Sequence, residues 1–120
     1  MALKITIPGR FPSLNDYISA ERANSRYAAK IKRDETRRVA DAVSGIGSVQ
    51  SPVTVYFNWV EPNARRDIDN VAFAKKFILD GLVRAGVLAG DSRKHVIGLS
   101  DSFSEIDPIN PRVEITIMEV

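Results

Sequence analysis

Cysteine is absent from this sequence, histidine occurs once at His95, and tryptophan once at Trp59. Without cysteine there is no disulfide framework, and the composition is compatible with a reducing cytoplasm. No apolar run approaches the roughly 20 residues of a transmembrane helix. Met1-Ala2-Leu3-Lys4 also lacks the apolar block of a signal peptide. The expectation is a cytoplasmic protein with no membrane association. Neither an internal repeat nor a low-complexity tract interrupts the chain. What remains is 120 residues, 44% hydrophobic and 27% charged, the profile of one globular domain spanning residues 1–120. The net charge of +2 is small but unevenly spread. Arg10, Arg22, Arg26, Lys30, Lys32, Arg33, Arg37 and Arg38 outnumber Asp16, Glu21, Asp34 and Glu35 in the N-terminal third. After residue 100, Asp101, Glu105, Asp107, Glu114 and Glu119 face Arg112 alone. The N-terminal third is therefore the expected face for a polyanion.

Leu3, Ile5 and Ile7 alternate with polar residues and predict a first strand ending at Pro8-Gly9. Residues 8–24 hold Pro, Gly, Ser and Asn without a clear period and read as a loop. Asn24 or Ser25 is suited to cap a helix over residues 26–43, with Gly45 as its stop. On that helix Arg26, Lys30, Arg33 and Arg37 form one stripe, opposite Ala28, Ile31, Val39 and Ala42 with Glu35 interrupting. Such a stripe is usually only a solvated face, yet cations at this spacing also suit a helix that tracks phosphates. Val53, Val55, Phe57 and Trp59 give the clearest strand in the chain. His95 to Leu99 reads as a further extended run, residues 101–112 as a loop, and Val113, Ile115 and Ile117 as a last strand. Trp59 is read first as a core residue, with a nucleobase platform as the alternative, and His95 as structural in preference to a general base. The predicted order is β-α-β-α-β-β: an α+β domain with a small mixed sheet of about four strands and two main helices on one side.

Between the second strand and the C-terminal strands lies Arg65-Arg66-Asp67-Ile68-Asp69-Asn70, followed by Lys75-Lys76 and closed by Gly90-Asp91. If residues 67–69 are extended, Asp67 and Asp69 share one face and Ile68 points to the core. From Asp69 onward the period becomes helical. Val71, Ala74, Phe77, Ile78, Leu82 and Ala85 form the apolar side, and Asp69, Phe73, Lys76 and Asp80 the other. Asp69 or Asn70 is placed to cap this helix, which stops near Ala85-Gly86. A short apolar turn then delivers Asp91 toward the first two acids. Carboxylates gathered this closely repel one another unless a cation sits among them. Oxygen ligands with no cysteine and one histidine point to Mg²⁺ or Mn²⁺ rather than zinc. Such a centre suits phosphodiester hydrolysis, with Lys76 supporting developing charge and Arg65 and Arg66 at the lip to hold phosphates. An Asp-x-Asp near a lysine fits a capped helix with a solvated ion pair equally well.

Arg66-Asp67-Ile68-Asp69-Asn70, Lys76, Asp80-Gly81-Leu82, Ala85-Gly86 and Asp91 together resemble the core of RusA-type Holliday junction resolvases. Pro12-Ser13-Leu14-Asn15 is similar to a Pro-Ser-x-Asn segment near that family's N-terminus. The resemblance implies a homodimeric, metal-dependent endonuclease, bacterial or phage-encoded, that serves DNA recombination and repair by cutting four-way junctions with paired nicks. It implies Asp67, Asp69 and Asp91 as catalytic acids and metal ligands, Lys76 as the essential lysine, and Mg²⁺ as the ion, with no organic cofactor. Arg65, Arg66 and the Arg26, Lys30, Arg33, Arg37 stripe are the expected DNA-binding residues. Two departures stand out. Lys76 lies seven residues after Asp69, where the family's lysine usually follows sooner, and Gly90 precedes Asp91 where some relatives carry another acid. Phe73 occupies the position one turn before Lys76, where contact with a partner subunit or with DNA is open. The rival readings are a phosphohydrolase acting on another nucleic acid and a DNA-binding relic without catalysis.

Overall fold

The alternating residues near the N-terminus form β1 (Ala2–Pro8), which is followed by α1 (Leu14–Ala23), α2 (Ser25–Ala42), β2 (Val53–Val60), α3 (Ile68–Ala72), α4 (Lys75–Arg84), β3 (Val96–Ser102) and β4 (Arg112–Glu119). The structure, a computed structural model, describes residues 2–120. The α+β class, the four strands and the mixed sheet agree with the sequence reading. The helices do not: among the described residues four helical segments stand where two were expected. One extra helix fills the segment read as a loop, and the helix after the acids is broken in two.

The sheet order is β1-β4-β2-β3. The last strand is inserted between earlier ones, antiparallel to both β1 and β2, while β3 adds parallel to β2. Register explains the core. Ile5 lies opposite Ile115 and Ile115 opposite Phe57, and the next row joins Ile7, Val113 and Trp59. All six are buried on one face. The opposite face carries Lys4, Thr6, Glu114, Thr116, Thr54, Tyr56 and Asn58, the alternation of a sheet wetted on one side. Because β2 and β3 are parallel, the chain needs a crossover between them, and α3 and α4 supply it.

α4 fits so closely against α2 that a Cβ added at Gly81 would stand 2.4 Å from Val39 Cβ and 2.9 Å from the Thr36 carbonyl oxygen. Phe77, Ile78 and Leu82 from α4, Val39 from α2 and Val43 at the C-cap of α2 are almost wholly inaccessible. Burial of each such side chain contributes about 1.5–3 kcal/mol. The unforeseen α1 begins with a capping box. Ser13 Oγ accepts from Asp16 N at 3.1 Å, and Asp16 Oδ2 accepts from Ser13 N at 2.9 Å. Asn24 caps α2 as expected, its Oδ1 accepting from Arg26 N at 2.8 Å. Arg38, on the inner side of α2, ties down the segment before α1. It donates to the Pro8 and Arg10 carbonyls at 2.6 and 2.9 Å and lies 4.2 Å above the Phe11 ring. Among the described residues no helix is long and apolar enough to cross a membrane.

Candidate functional site

β2 ends at Val60, and the chain turns outward through Pro62, Asn63 and Ala64, with Asn63 Oδ1 accepting from Arg65 N at 3.0 Å. Asp67 is extended (φ −66°, ψ 149°) and stands at the N-cap of α3, although its side chain makes no cap hydrogen bond. The two acids thus sit across the first turn of a short helix and not two positions apart on a strand. Ile68 is accordingly 61% exposed, not directed into the core. Asp69 is already inside the helix, and its Oδ1 accepts from Asn70 N at 3.0 Å. Neither Asp69 nor Asn70 is the cap. Beyond Ala72 the bonds tighten: Ala74 N reaches back to Val71 O, Lys76 N to Phe73 O and Phe77 N to Ala74 O. This three-residue spacing interrupts the α-helix before α4 begins at Lys75. Phe73, at the break, packs against Tyr17 and Phe77 with centroids 5.5 and 5.6 Å apart. Its ring is engaged inside the chain.

Asp67 and Asp69 line one cavity of about 480 Å³, together with Trp59, Glu61, Asn63, Arg66, Val71, Phe103 and Ile106. A second hollow, of about 580 Å³, shares Ile68, Asp69 and Phe103 with the first and adds Ala72, Phe73, Lys75 and Asp101. Asp69 therefore stands on the ridge between two recesses.

The two lysines diverge, as helical geometry requires of neighbours. Lys76 Nζ lies 3.1 Å from Asp80 Oδ1 and 3.4 Å from Asp91 Oδ2. The hydrogen bond to Asp80 is the main reason its ammonium holds its proton more tightly than an ordinary lysine, and Asp91 adds to the effect. Lys75 reaches Asp101 Oδ2 at 2.5 Å, and the other Asp101 oxygen accepts from Trp59 Nε1 at 2.8 Å. Asp101 thus joins β2, β3 and α4, a role that no short-range pattern in the sequence announces.

The expected phosphate contacts divide into two groups. Arg65 is exposed, and its guanidinium has no partner among the described residues. Arg66 is instead a structural clamp: it donates to the Phe11 carbonyl at 3.0 Å and to Asp16 Oδ2 at 3.3 Å, joining the acid segment to the start of α1. On α2, Arg26, Lys30, Arg33 and Arg37 are all exposed. Lys30 pairs with Asp34 at 2.5 Å, so an acid does enter the stripe. That bond, followed by the charges of Lys30, Arg33 and Arg37, keeps the Asp34 carboxyl below its ordinary range. Arg26, Arg33 and Arg37 keep their guanidinium groups unpaired among the described residues. His95 accepts or donates at Nδ1 with Ser51 Oγ, 2.9 Å away, and its ring fills the space beside Gly90, where a Cβ would come within 2.5 Å of it. Both facts make it a packing residue, and they account for glycine at position 90.

Asp67 has no side-chain hydrogen bond among the described residues and Asp69 keeps its Oδ2 free, a donor set at a shared opening that matches a hard divalent cation. Mg²⁺ commonly uses one or two protein carboxylates and completes its shell with water and phosphate. Asp91 is not gathered with them: among the described residues, no three His, Cys, Asp or Glu side chains are grouped closely enough to hold one ion. It faces Lys76. No family model matches this chain, and no curated protein is similar to it at a significant level.

Proposed function

We propose that this protein is a Mg²⁺-dependent endonuclease for branched DNA, resembling the RusA-type resolvases, which acts as a homodimer on four-way junctions. The observation that carries the reading is the pairing of Asp67 and Asp69 at the mouth of one cavity, beside exposed Arg65 and on the same crossover as the Lys76–Asp91 pair. Asp67 and Asp69 would hold the ion, while Asp91, the third ligand the resemblance implies, stands apart with Lys76; Mn²⁺ would serve in place of Mg²⁺. When bound, the ion polarises a phosphate and lowers the pKa of a bound water. In this reading Lys76 would offset charge that develops on the phosphate oxygens. Arg65 and the free Arg26, Arg33 and Arg37 supply sequence-independent backbone contacts. A two-fold dimer would present two equivalent sites to two strands of a junction.

Replacing Asp69 by Asn removes a ligand charge and keeps the basic surface. It should abolish cleavage while junction binding persists. Collapse of the thermal transition in the same variant would instead assign Asp69 a structural role. The position of Asp91 outside any three-acid group favours one alternative, a junction-binding protein without cleavage. In that case the wild-type protein and the Asn variant would bind alike, and neither would nick DNA with any divalent ion.

A further inference from the structure

Three aromatic rings lie nearly parallel behind the two acids. Phe57 and Trp59 have centroids 5.5 Å apart with planes tilted by 16°, and Trp59 and Phe103 are 6.4 Å apart with a tilt of 12°. The inner two are buried at 1% and 2% exposure, whereas Phe103, which ends the stack, is partly open. Phe103 lines both recesses that flank Asp69. We propose that the cavity bounded by Trp59, Phe103, Asn63, Asp67 and Asp69 receives one unpaired nucleobase, which continues the aromatic stack next to the phosphate held at the acids. The inference rests on the nucleic-acid reading above and adds a base-binding site to it.

The chemistry of the walls selects this ligand. A volume of about 480 Å³ is in the range of small-molecule sites and accommodates a purine. Val71 and Ile106 give it apolar surface against which the faces of a base can pack. Glu61 is already paired with Arg10 and faces Arg66, so acceptors for the amino groups on base edges come from the carboxylate oxygens of Asp67 and Asp69 that the ion leaves free. Asn63 uses its side-chain oxygen on Arg65 N and leaves its NH₂ without a partner among the described residues, a donor for a base carbonyl or ring nitrogen. The Trp59 N–H is already satisfied by Asp101, so the aromatic wall interacts through its faces and tolerates any base. A base enters such a site only after leaving its own stack, and that costs least at branch points, bulges and gaps. The cavity therefore contributes selectivity for DNA structure without reading sequence.

Trp59 is the sole tryptophan, and it lines this cavity in contact with Phe103, so a base stacked there should change its emission. The test compares a duplex bearing one unpaired nucleotide with the same duplex bearing an abasic residue there, in EDTA and in Ca²⁺. The base-bearing duplex should quench Trp59 and bind about 5- to 150-fold more tightly, the range of one base–aromatic stack. Phe103→Ala should erase that difference while retaining the thermal transition. Arg33→Ala with Arg37→Ala should weaken both duplexes equally. Equal affinity and unchanged emission for the two duplexes would overturn the base site while leaving the nuclease reading in place. Failure of every DNA to bind would remove both.

Discussion

Lys76 separates a structural from a chemical role more cleanly than the acids do. Its ammonium bridges Asp80 at 3.1 Å and Asp91 at 3.4 Å, and its side chain is 55% exposed. Exposed pairs of this kind contribute about 0.2–1 kcal/mol each, so Lys76→Met should lower stability by about 1 kcal/mol. In a domain of this size that is a fall of roughly 3–6 °C in Tm. If Lys76 stabilises a phosphate in the transition state, its loss resembles removal of one preorganised donor and costs about 10²- to 10³-fold in rate. Single-turnover cleavage of a junction and a thermal melt of the same sample measure both effects. The Lys76 pKa lies above the ordinary value, so its ion pairs are intact below the ordinary lysine pKa and are lost only as pH rises through the higher folded value. No Lys76-dependent change in stability is expected between about pH 6 and 9. A large fall in Tm with the remaining activity matching the folded fraction, or full activity in the Met variant, would refute the chemical role.

Other perturbations address the frame. Gly81→Ala should destabilise by about 1–3 kcal/mol despite the better helix propensity of alanine, because the new methyl would meet Val39 at 2.4 Å; in a double-mutant cycle by denaturant melts, Val39→Ala should relieve part of that cost, and strict additivity would show that α2 and α4 do not press together there. Ser13→Ala should cost about 1 kcal/mol through loss of the α1 cap. The Asp16 carboxyl is held below its usual range, chiefly by the Ser13 N–H. Its contribution is present above the ordinary carboxylate pKa and lost as pH falls through the lowered value, so Asp16→Asn should flatten the acid limb of the stability curve. Arg33→Ala with Arg37→Ala should weaken junction binding and reduce its salt dependence by about two counterions' worth of slope; an unchanged slope in titrations at several salt concentrations would take α2 out of the interface.

The strands were legible because one face of the sheet is wet: Leu3-Ile5-Ile7, Val53-Val55-Phe57-Trp59 and Val113-Ile115-Ile117 each alternate as a half-buried strand must. α2 was legible from its Asn24 cap and long amphipathic period. α1 was not, because it follows Pro and Gly and buries only Ala20 completely. Its signal was the Ser13-Leu14-Asn15-Asp16 capping box, which is visible in the sequence. The break between α3 and α4 carries no Gly or Pro; Phe73 there is held by Tyr17, from a distant part of the chain. That same break invalidates a single helical wheel from Asp69 to Lys76. Yet the Lys76–Asp80 spacing lies within α4, and the Lys76–Asp91 contact follows from the turn after it. Arg66 and Arg38 read as surface cations because their carbonyl partners, Phe11 and Pro8 with Arg10, lie 55 and about 30 residues away. Asp101 was unassigned for the same reason. Long-range polar anchoring leaves no periodic trace.

Cleavage of a labelled four-way junction, beside a linear duplex and a flap, with Mg²⁺, Mn²⁺ or EDTA, addresses the proposed activity most directly. Paired nicks confined to the junction, present with either metal and absent in EDTA, are the expected result. Tight junction binding with no nick under any ion would contradict a catalytic role for Asp67, Asp69 and Lys76 and leave a protein that recognises branched DNA without cutting it.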